Sequence, residues 1–182
     1  RMGLIEGVAN HFSAKLPGHE NLFLVNPEGL HWSELRASDL IVVDTDGNKI
    51  AGAGRLRTVA FVLHGVLHRQ LPAAAAILHC HPPYGTALTM VKGGRLSPAH
   101  ATMGRLWNRI AYLDDFTGPL WSADVGTMFV RAFGDATILF MAGHGVTVIG
   151  PSIAAAFDDL YFVERLCMVE TLARARGEPL TE

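Results

Sequence analysis

An amphipathic helix pattern runs directly into a buried strand pattern between residues 58 and 80, and this pair constrains the fold more than any other feature. Residues 58–70 (TVAFVLHGVLHRQ) carry apolar side chains at the i, i+3, i+4, i+7 spacing of a helix with one buried face. Pro72 marks the exit from that helix, and residues 74–80 (AAAILHC) form an apolar run with the length of a strand. Because such helix and strand patterns interleave along the chain, the predicted class is α/β.

Further elements follow the same rules of periodicity and punctuation. Strands are predicted near His11 and over residues 21–25, 40–44, 74–80, 109–114, 136–141 and 147–149, and helices over 58–70, 83–89, 123–133 and 153–176. Ser152 suits the N-cap of the last helix and Gly177 its end. The early strands are joined by turns and the later ones by helices, which favours a mixed sheet.

Composition limits the class of protein and its partners. The chain of 182 residues fits one domain, residues 1–182, and is 49% hydrophobic and 18% charged, as expected of a compact globular protein. A formal net charge of −2 argues against nucleic acid or an anionic membrane as the main partner. Two distant cysteines and no apolar run of membrane-span length favour a cytoplasmic location. The chain starts at Arg1, which leaves open whether N-terminal residues are missing.

Three histidines have the spacing of a metal site. His79 and His81 end the apolar run and, as residues i and i+2 of a strand, face the same side. His144 lies between two glycines after another apolar run, so that the backbone there is free to orient the ring. Three neutral imidazoles with an open position are typical of catalytic Zn²⁺, Mn²⁺ or Fe²⁺ sites. The alternative is that these are core and turn histidines.

Short motifs, in this order and spacing, resemble the class II aldolase/adducin family along nearly the whole chain. They are Asn10-His11-Phe12-Ser13, Asn26-Pro27-Glu28-Gly29, Ser38-Asp39-Leu40, Leu63-His64, His79-Cys80-His81-Pro82-Pro83-Tyr84, His144-Gly145, Ala156-Phe157 and Tyr161-Phe162-Val163-Glu164. The resemblance implies a three-layer α/β/α sandwich with a mixed central sheet and a divalent metal held by His79, His81 and His144. It also implies a homotetramer with active sites between subunits.

Two departures from the sugar-phosphate aldolases of that family bear on the chemistry. Their catalytic Glu corresponds to Ala60, which cannot transfer a proton. Their phosphate-cradling positions correspond to Asn10, Glu28, Thr58 and Val59. A carboxylate at Glu28 would repel phosphate and Val59 offers no hydroxyl, so a phosphorylated substrate is disfavoured. The pattern is closer to an adducin-like branch that includes decarboxylases, the non-enzymatic adducin head and a few iron-dependent oxygenases.

Several other side chains are candidates for the site, each with an ordinary structural alternative. His11 stands where the family has an Asn and is a candidate acid or base. Tyr84 is either a proton donor or a packing residue. Arg57 is either a ligand for a substrate carboxylate or a surface charge, and Asn10 and Glu28 are placed at the substrate by the resemblance. The remaining polar or reactive residues are expected to be structural or solvent-facing: His19, His31, His64, His68, His100, Cys80 and Glu164.

The leading functional hypothesis is a metal-dependent carbon–carbon lyase that decarboxylates a small hydroxylated aromatic or 2-oxo acid. Loss of CO₂ needs no base to strip a hydroxyl group and therefore tolerates Ala60. Three alternatives stay open: an aldolase acting on an unphosphorylated hydroxy-carbonyl substrate, a non-catalytic adducin-like binding module, and an Fe(II)-dependent oxygenase.

Overall fold

The structure is a computed structural model that describes residues 3–4, 6–115 and 123–181, except for the side chains of residues 59–61 and 123–124. Within these ranges the strands are β1 (His11–Lys15), β2 (Leu22–Val25), β3 (Ile41–Asp44), β4 (Lys49–Ala51), β5 (Ala76–Cys80), β6 (Ile110–Leu113), β7 (Ile138–Met141) and β8 (Gly145–Gly150). The helices are α1 (Thr58–Gln70), α2 (Pro83–Thr89), α3 (Ala123–Phe133) and α4 (Ile153–Arg174), with short 3-10 helices at Ala37–Asp39 and Ala101–Arg105.

The strands form one sheet in the order β4-β3-β2-β1-β5-β8-β7-β6. The pair β6–β7 is parallel and the other pairs are antiparallel, so the sheet is mixed, as predicted. Helices α1 and α3 pack on one face, and α2 and α4 pack on the other. The predicted three-layer α/β/α sandwich is therefore confirmed.

Alternation along β5 divides its side chains between the two layers. Leu78 and Cys80 are fully buried in the cluster that packs on α4, which confirms Cys80 as a packing residue. Ile77 lies in the opposite cluster with Leu63 and Leu67 of α1. His79 faces this second side, so the site lies on the α1 side of the sheet.

The predicted bounds of α1 and α3 agree with the structure to the residue. Strand β8 extends beyond the predicted 147–149. The prediction was too short because the strand begins and ends in glycines, which are uncommon in strands and gave no signal there. Gly145 is needed for close approach, since a Cβ there would lie 2.6 Å from the Cys80 carbonyl oxygen and 2.7 Å from Cδ2 of His81. Helix α4 ends two residues early, at Arg174, and Gly177 follows with φ of +78°.

The helices in the described parts of the chain were compared with the length and apolarity that a bilayer crossing requires. Not one of them meets both requirements.

Candidate metal centre

The three predicted ligands come together at the end of β5, near the middle of the sheet. His79 is the fourth residue of β5 and His81 follows its last residue. Strand β8 pairs antiparallel with β5, with Cys80 opposite Val146, so the turn before β8 lies beside His81. His144 occupies that turn, next to Gly143 with φ of +60°. The topology therefore brings residues 65 positions apart to one point.

The ring nitrogens of the triad converge. Nε2 of His79 lies 3.2 Å from Nε2 of His81 and 3.2 Å from Nε2 of His144. A ligand atom from each of the three residues lies within 4.8 Å of the other two. A tetrahedral Zn²⁺ with bonds of about 2.0–2.1 Å would hold its nitrogens about 3.3–3.4 Å apart. Two of the three nitrogen separations thus match a divalent metal of the predicted kind, and the third lies within 4.8 Å.

For His79 and His81, an outer partner sets which ring nitrogen faces the other ligands. Nδ1 of His79 lies 3.0 Å from Oγ1 of Thr147, and Nδ1 of His81 contacts the Glu6 carboxylate. A neutral imidazole that donates from Nδ1 has its lone pair on Nε2. This arrangement, in which the far nitrogen bonds to a carboxylate or hydroxyl, is the usual way in which proteins orient metal-binding histidines.

Burial keeps His79 and His144 in the neutral form that a metal requires. Desolvation is the main cause that lowers the pKa of His79 well below 6.5, and the neighbouring rings of His11, His144 and His81 lower it further. Desolvation and the charge of His81 lower the pKa of His144 to about 4, although the Glu6 carboxylate opposes this shift. At neutral pH the rings of His79 and His144 are therefore uncharged, which is the form that binds a metal.

His11 lies directly beside the triad. It pairs with His79 across β1 and β5, and the two ring centroids are 4.7 Å apart. Nδ1 of His11 lies 2.7 Å from Nε2 of His64 on α1. Desolvation lowers the pKa of His11 well below 6.5, and the charges of His64 and Arg57 add to the effect. The candidate acid or base is thus a buried neutral imidazole at the edge of the metal site.

A second row of buried polar groups lies behind His11. Oγ of Ser13 contacts Nδ1 of His64 and lies 2.7 Å from Nε2 of His68. Nδ1 of His68 lies 2.7 Å from the Ala74 carbonyl oxygen. His64 is buried and hydrogen-bonded, as expected. His68 is also buried and hydrogen-bonded, so its predicted surface-leaning position is wrong: it is only 2% exposed, on the buried face of α1.

The three predicted substrate-binding residues lie near the start of β1. Asn10 is buried, and its Oδ1 accepts a hydrogen bond of 2.5 Å from the backbone N–H of Glu6. Its Nδ2 is also buried and has no partner among the described residues. Arg57 donates to the Ala9 carbonyl oxygen at 3.4 Å and lies 3.9 Å from Glu28. Glu28 lies 3.6 Å from Arg55 as well. Its charge is therefore offset by two guanidinium groups, which weakens the argument that it would repel phosphate.

Tyr84 and Glu164 lie on the α4 side of the sheet. The Tyr84 ring packs against the cluster that contains Cys80, Leu160 and Val163. The Glu164 carboxylate accepts the backbone N–H groups of Tyr84 at 3.0 Å and Gly85 at 2.8 Å. Glu164 thus stabilises the start of α2, which agrees with its expected supporting role. The proton-donor role of Tyr84 remains a prediction.

Sequence reasoning missed the outer partners of the ligands. Thr147 is a polar residue in the middle of a buried strand, which is a signal for a hydrogen-bonded partner. Ser13 follows His11 by two positions on β1 and so shares its face. Glu6 lies outside the regular elements and no local pattern marks it. The side chains at Val59 and Ala60, where the sequence also departs from the sugar-phosphate aldolases, lie outside the described residues.

Comparison with known proteins agrees with this geometry. Residues 1–171 match the family model described as "Class II Aldolase and Adducin N-terminal domain". A putative aldolase class 2 protein of Caulobacter vibrioides is 29% identical over 171 residues, which are 93% of this chain and 66% of that protein. The decarboxylase NovR of Streptomyces niveus is 27% identical over 175 residues, 96% of this chain and 64% of NovR.

Two further matches add a different activity and a solved structure. A 4-hydroxy-3-prenylphenylpyruvate oxygenase/4-hydroxy-3-prenylbenzoate synthase of Streptomyces roseochromogenus is 27% identical over 178 residues, 96% of this chain and 64% of that protein. A crystal structure of an aldolase II superfamily protein from Pseudomonas syringae superposes with a TM-score of 0.88 at 27% identity, covering 95% of this chain and 70% of that one. The chain spans about two thirds of the length of these curated relatives. By its fold, its histidine triad and the match over residues 1–171, the chain belongs to the class II aldolase and adducin N-terminal domain family.

Proposed function

We propose that this chain carries the active site of a divalent-metal-dependent carbon–carbon lyase that decarboxylates a small hydroxylated aromatic or 2-oxo carboxylic acid. The observation that carries the proposal is the convergence of three imidazoles beside the buried ring of His11, with Nε2 of His79 3.2 Å from Nε2 of both His81 and His144. The metal is proposed to be Zn²⁺, Mn²⁺ or Fe²⁺, held by His79, His81 and His144. When bound, it would act as a Lewis acid that withdraws electrons from a carbonyl or phenolate oxygen.

The residues around the triad supply binding and proton transfer. Arg57, whose charge reaches His11, is proposed to bind the substrate carboxylate. The unpartnered Nδ2 of Asn10 is a buried donor available to a substrate oxygen. His11 is proposed to take up the hydroxyl proton of the substrate on Nε2 and return it to the carbon that loses CO₂. Tyr84, whose ring packs on the α4 side of the sheet, is the other candidate in this chain. Glu28 is proposed to orient Arg57 through their ion pair.

Decarboxylation is favoured over aldol cleavage by the loss of the family's catalytic Glu. Retro-aldol cleavage begins when a base removes a proton from a hydroxyl group, and Ala60 cannot do this. In decarboxylation of a hydroxylated aromatic acid, the ring carbon that bears the carboxylate is protonated, the C–C bond breaks toward CO₂, and its electron pair restores the aromatic ring. This protonation is the only proton transfer needed at carbon. The name of the relative NovR, a decarboxylase, supports the same choice.

An iron-dependent oxygenase is the second candidate. A relative named as a 4-hydroxy-3-prenylphenylpyruvate oxygenase supports this reading. The two reactions differ in their use of O₂. Oxygen consumption with Fe²⁺ and a 4-hydroxyphenylpyruvate-type acid would replace the lyase proposal with this one.

Metal content and CO₂ release test the proposal together. The purified protein is expected to contain about one equivalent of a divalent metal, which the H79A variant loses. The metal-loaded protein is then incubated with hydroxylated benzoic and 2-oxo acids, anaerobically, and CO₂ is measured. Release of CO₂ without O₂ supports the lyase. Aldehyde formation from a hydroxy-carbonyl substrate would show the aldolase instead, and a metal-free wild-type protein would indicate the adducin-like module.

The assembly and location are part of the same proposal. We expect a homotetramer with active sites between subunits, in the cytoplasm. Sedimentation of the metal-loaded protein tests the tetramer, because a monomeric species at assay concentrations would contradict it.

A further inference from the structure

A continuous chain of buried hydrogen bonds runs from the backbone of residue 74 to His11. It consists of the Ala74 carbonyl, His68, Ser13, His64 and His11, and its distances are 2.7 Å at both bonds of His68 and 2.7 Å between His64 and His11. The remaining link, Ser13 to His64, is a short contact. All four side chains are buried, with at most 4% exposure. Four linked polar side chains in a core destabilise the fold unless every donor and acceptor among them has a hydrogen-bond partner.

The Ala74 end of this hydrogen-bond chain fixes which group donates in every bond. A carbonyl oxygen can only accept, so Nδ1 of His68 carries the proton and its Nε2 carries the lone pair. The single hydroxyl proton of Ser13 must then point to Nε2 of His68. Toward His64 the Ser13 oxygen can only accept, so Nδ1 of His64 is protonated.

The last link transmits this order to the metal site. With its proton on Nδ1, neutral His64 has its lone pair on Nε2, and Nδ1 of His11 must donate to it. A neutral His11 ring then has no proton on Nε2. Desolvation lowers the pKa of His64 and of His68, which agrees with neutral rings at both positions. No alternative set of proton positions satisfies every bond.

We propose that Ser13, His64 and His68 are positioning residues that fix His11 as the Nδ1–H tautomer, so that its Nε2 presents a lone pair as a hydrogen-bond acceptor at the active site. His11 is outside the group of possible metal ligands that the described residues form, and its ring lies 4.7 Å from that of His79, so we assign this nitrogen to the substrate rather than to the metal. A hydrogen-bond acceptor beside the metal selects substrates that carry a hydroxyl donor. This inference rests on the proposed function and narrows its substrate class to hydroxy acids.

A neutron crystal structure of the wild-type protein with Zn²⁺ bound tests the proton positions directly. The expected result is deuterium on Nδ1 and none on Nε2 in all three rings: His11, His64 and His68. Deuterium on Nε2 of His11 would overturn the proposal. This readout needs no turnover, so it stands or falls separately from the proposed lyase activity.

The S13A variant tests whether the hydrogen-bond chain from Ala74 to His11 contributes to catalysis. Removal of the hydroxyl breaks the chain between His68 and His64 without touching a metal ligand. We expect kcat for decarboxylation to fall by about tenfold or more, with KM changed by less than about twofold and one equivalent of metal retained. The matched control is S33A, which removes an equivalent serine–histidine bond of 2.7 Å to His31 on the surface and should leave kcat unchanged.

The S13T variant keeps a hydroxyl group at the same place. It is expected to recover kcat to within about threefold of wild type, which a purely steric role of Ser13 would not allow. If S13A folds, binds metal and keeps the wild-type kcat, the positioning role is refuted. If S13A does not fold, the neutron structure of the wild-type protein decides.

Discussion

At the scale of single residues, the site depends on imidazole rings that the protein keeps neutral. His11, His64 and His79 are almost completely buried, and desolvation is the largest cause of the lowered pKa of each ring. A protonated imidazole cannot bind a metal, because its lone pair is occupied. Burial thus removes these rings from solvent at a cost in free energy, but it keeps the metal ligand His79 and its neighbour His11 neutral, so that neither must first lose a proton.

The hydroxyl of Thr147 is expected to contribute to metal affinity through His79. The T147V variant replaces the hydroxyl by a methyl group of similar size and removes the acceptor that lies 3.0 Å from Nδ1 of His79. We expect the Zn²⁺ affinity to fall by about 10- to 100-fold, as measured by competition with a chelator.

The matched control is T137V. Thr137 bonds to Arg109 at 3.1 Å, away from the triad, and its replacement should leave Zn²⁺ affinity unchanged. Equal affinities of T147V and wild type would show that the hydroxyl does not orient His79.

The buried ring of His68 is expected to make stability depend on pH. Burial lowers the pKa of His68 from 6.5 to about 4, against a smaller raising effect of the Ala74 carbonyl. Between these values the unfolded chain takes up a proton that the folded chain does not. The stability contributed by the neutral ring is therefore fully present above about pH 6.5 and is lost as pH falls to about 4, by roughly 3 kcal/mol in total.

Urea unfolding between pH 4.5 and 7.5 measures this loss. The H68Q variant lacks the ionisable ring, so its free energy of unfolding should decline less steeply toward low pH than that of the wild-type protein. Parallel curves for the two proteins would contradict the assignment. A lower H68Q stability at pH 7.5 is expected in any case, since two buried hydrogen bonds change.

At the scale of elements, helix α2 depends on a carboxylate from another helix. Pro82 at its N-cap position offers no side-chain acceptor, and Glu164 of α4 accepts the two backbone N–H groups instead. In the E164Q variant one carboxylate oxygen becomes an amide donor that faces a backbone N–H. We expect a loss of about 1–3 kcal/mol in the free energy of unfolding at pH 7, measured by chemical denaturation.

The control for this substitution is E178Q at an exposed position, where the carboxylate lies 3.6 Å from Arg176. It should change stability by less than about 0.5 kcal/mol. An E164Q variant as stable as E178Q would show that solvent satisfies the α2 amides as well as Glu164 does.

The elements were more predictable from sequence than their contacts. Helix α1 follows from apolar spacing and strand β5 from a continuous apolar run, since both signals are local. The triad was also predictable, because the spacing of His79 and His81 is a local strand property. The buried position of His68 was not, because the partner of this polar residue, Ser13, comes from β1, 55 residues away. Pairing over such distances leaves no local signal.

At the scale of the whole molecule, the sheet order assembles the site. Strand β5 lies between β1 and β8, so His11 and the turn with His144 meet the end of β5 from its two sides. Neither neighbour in the sheet is adjacent to β5 in sequence. The triad is consequently a feature of the folded chain, and an unfolded chain would hold these ligands far apart.

Metal binding is therefore expected to stabilise the whole fold. A ligand that binds the folded chain alone adds RT ln(1 + [L]/Kd), which is about 2.7 kcal/mol at 100 times Kd. For a chain of 182 residues this corresponds to a rise of about 5–10 °C in Tm. Calorimetry with excess Zn²⁺ and with chelator measures the difference in Tm.

The H144Q variant removes one ligand from a half-buried turn. It should keep its metal-free Tm but lose most of the rise in Tm that Zn²⁺ causes. Equal rises in wild type and H144Q would place the bound metal elsewhere than at the triad.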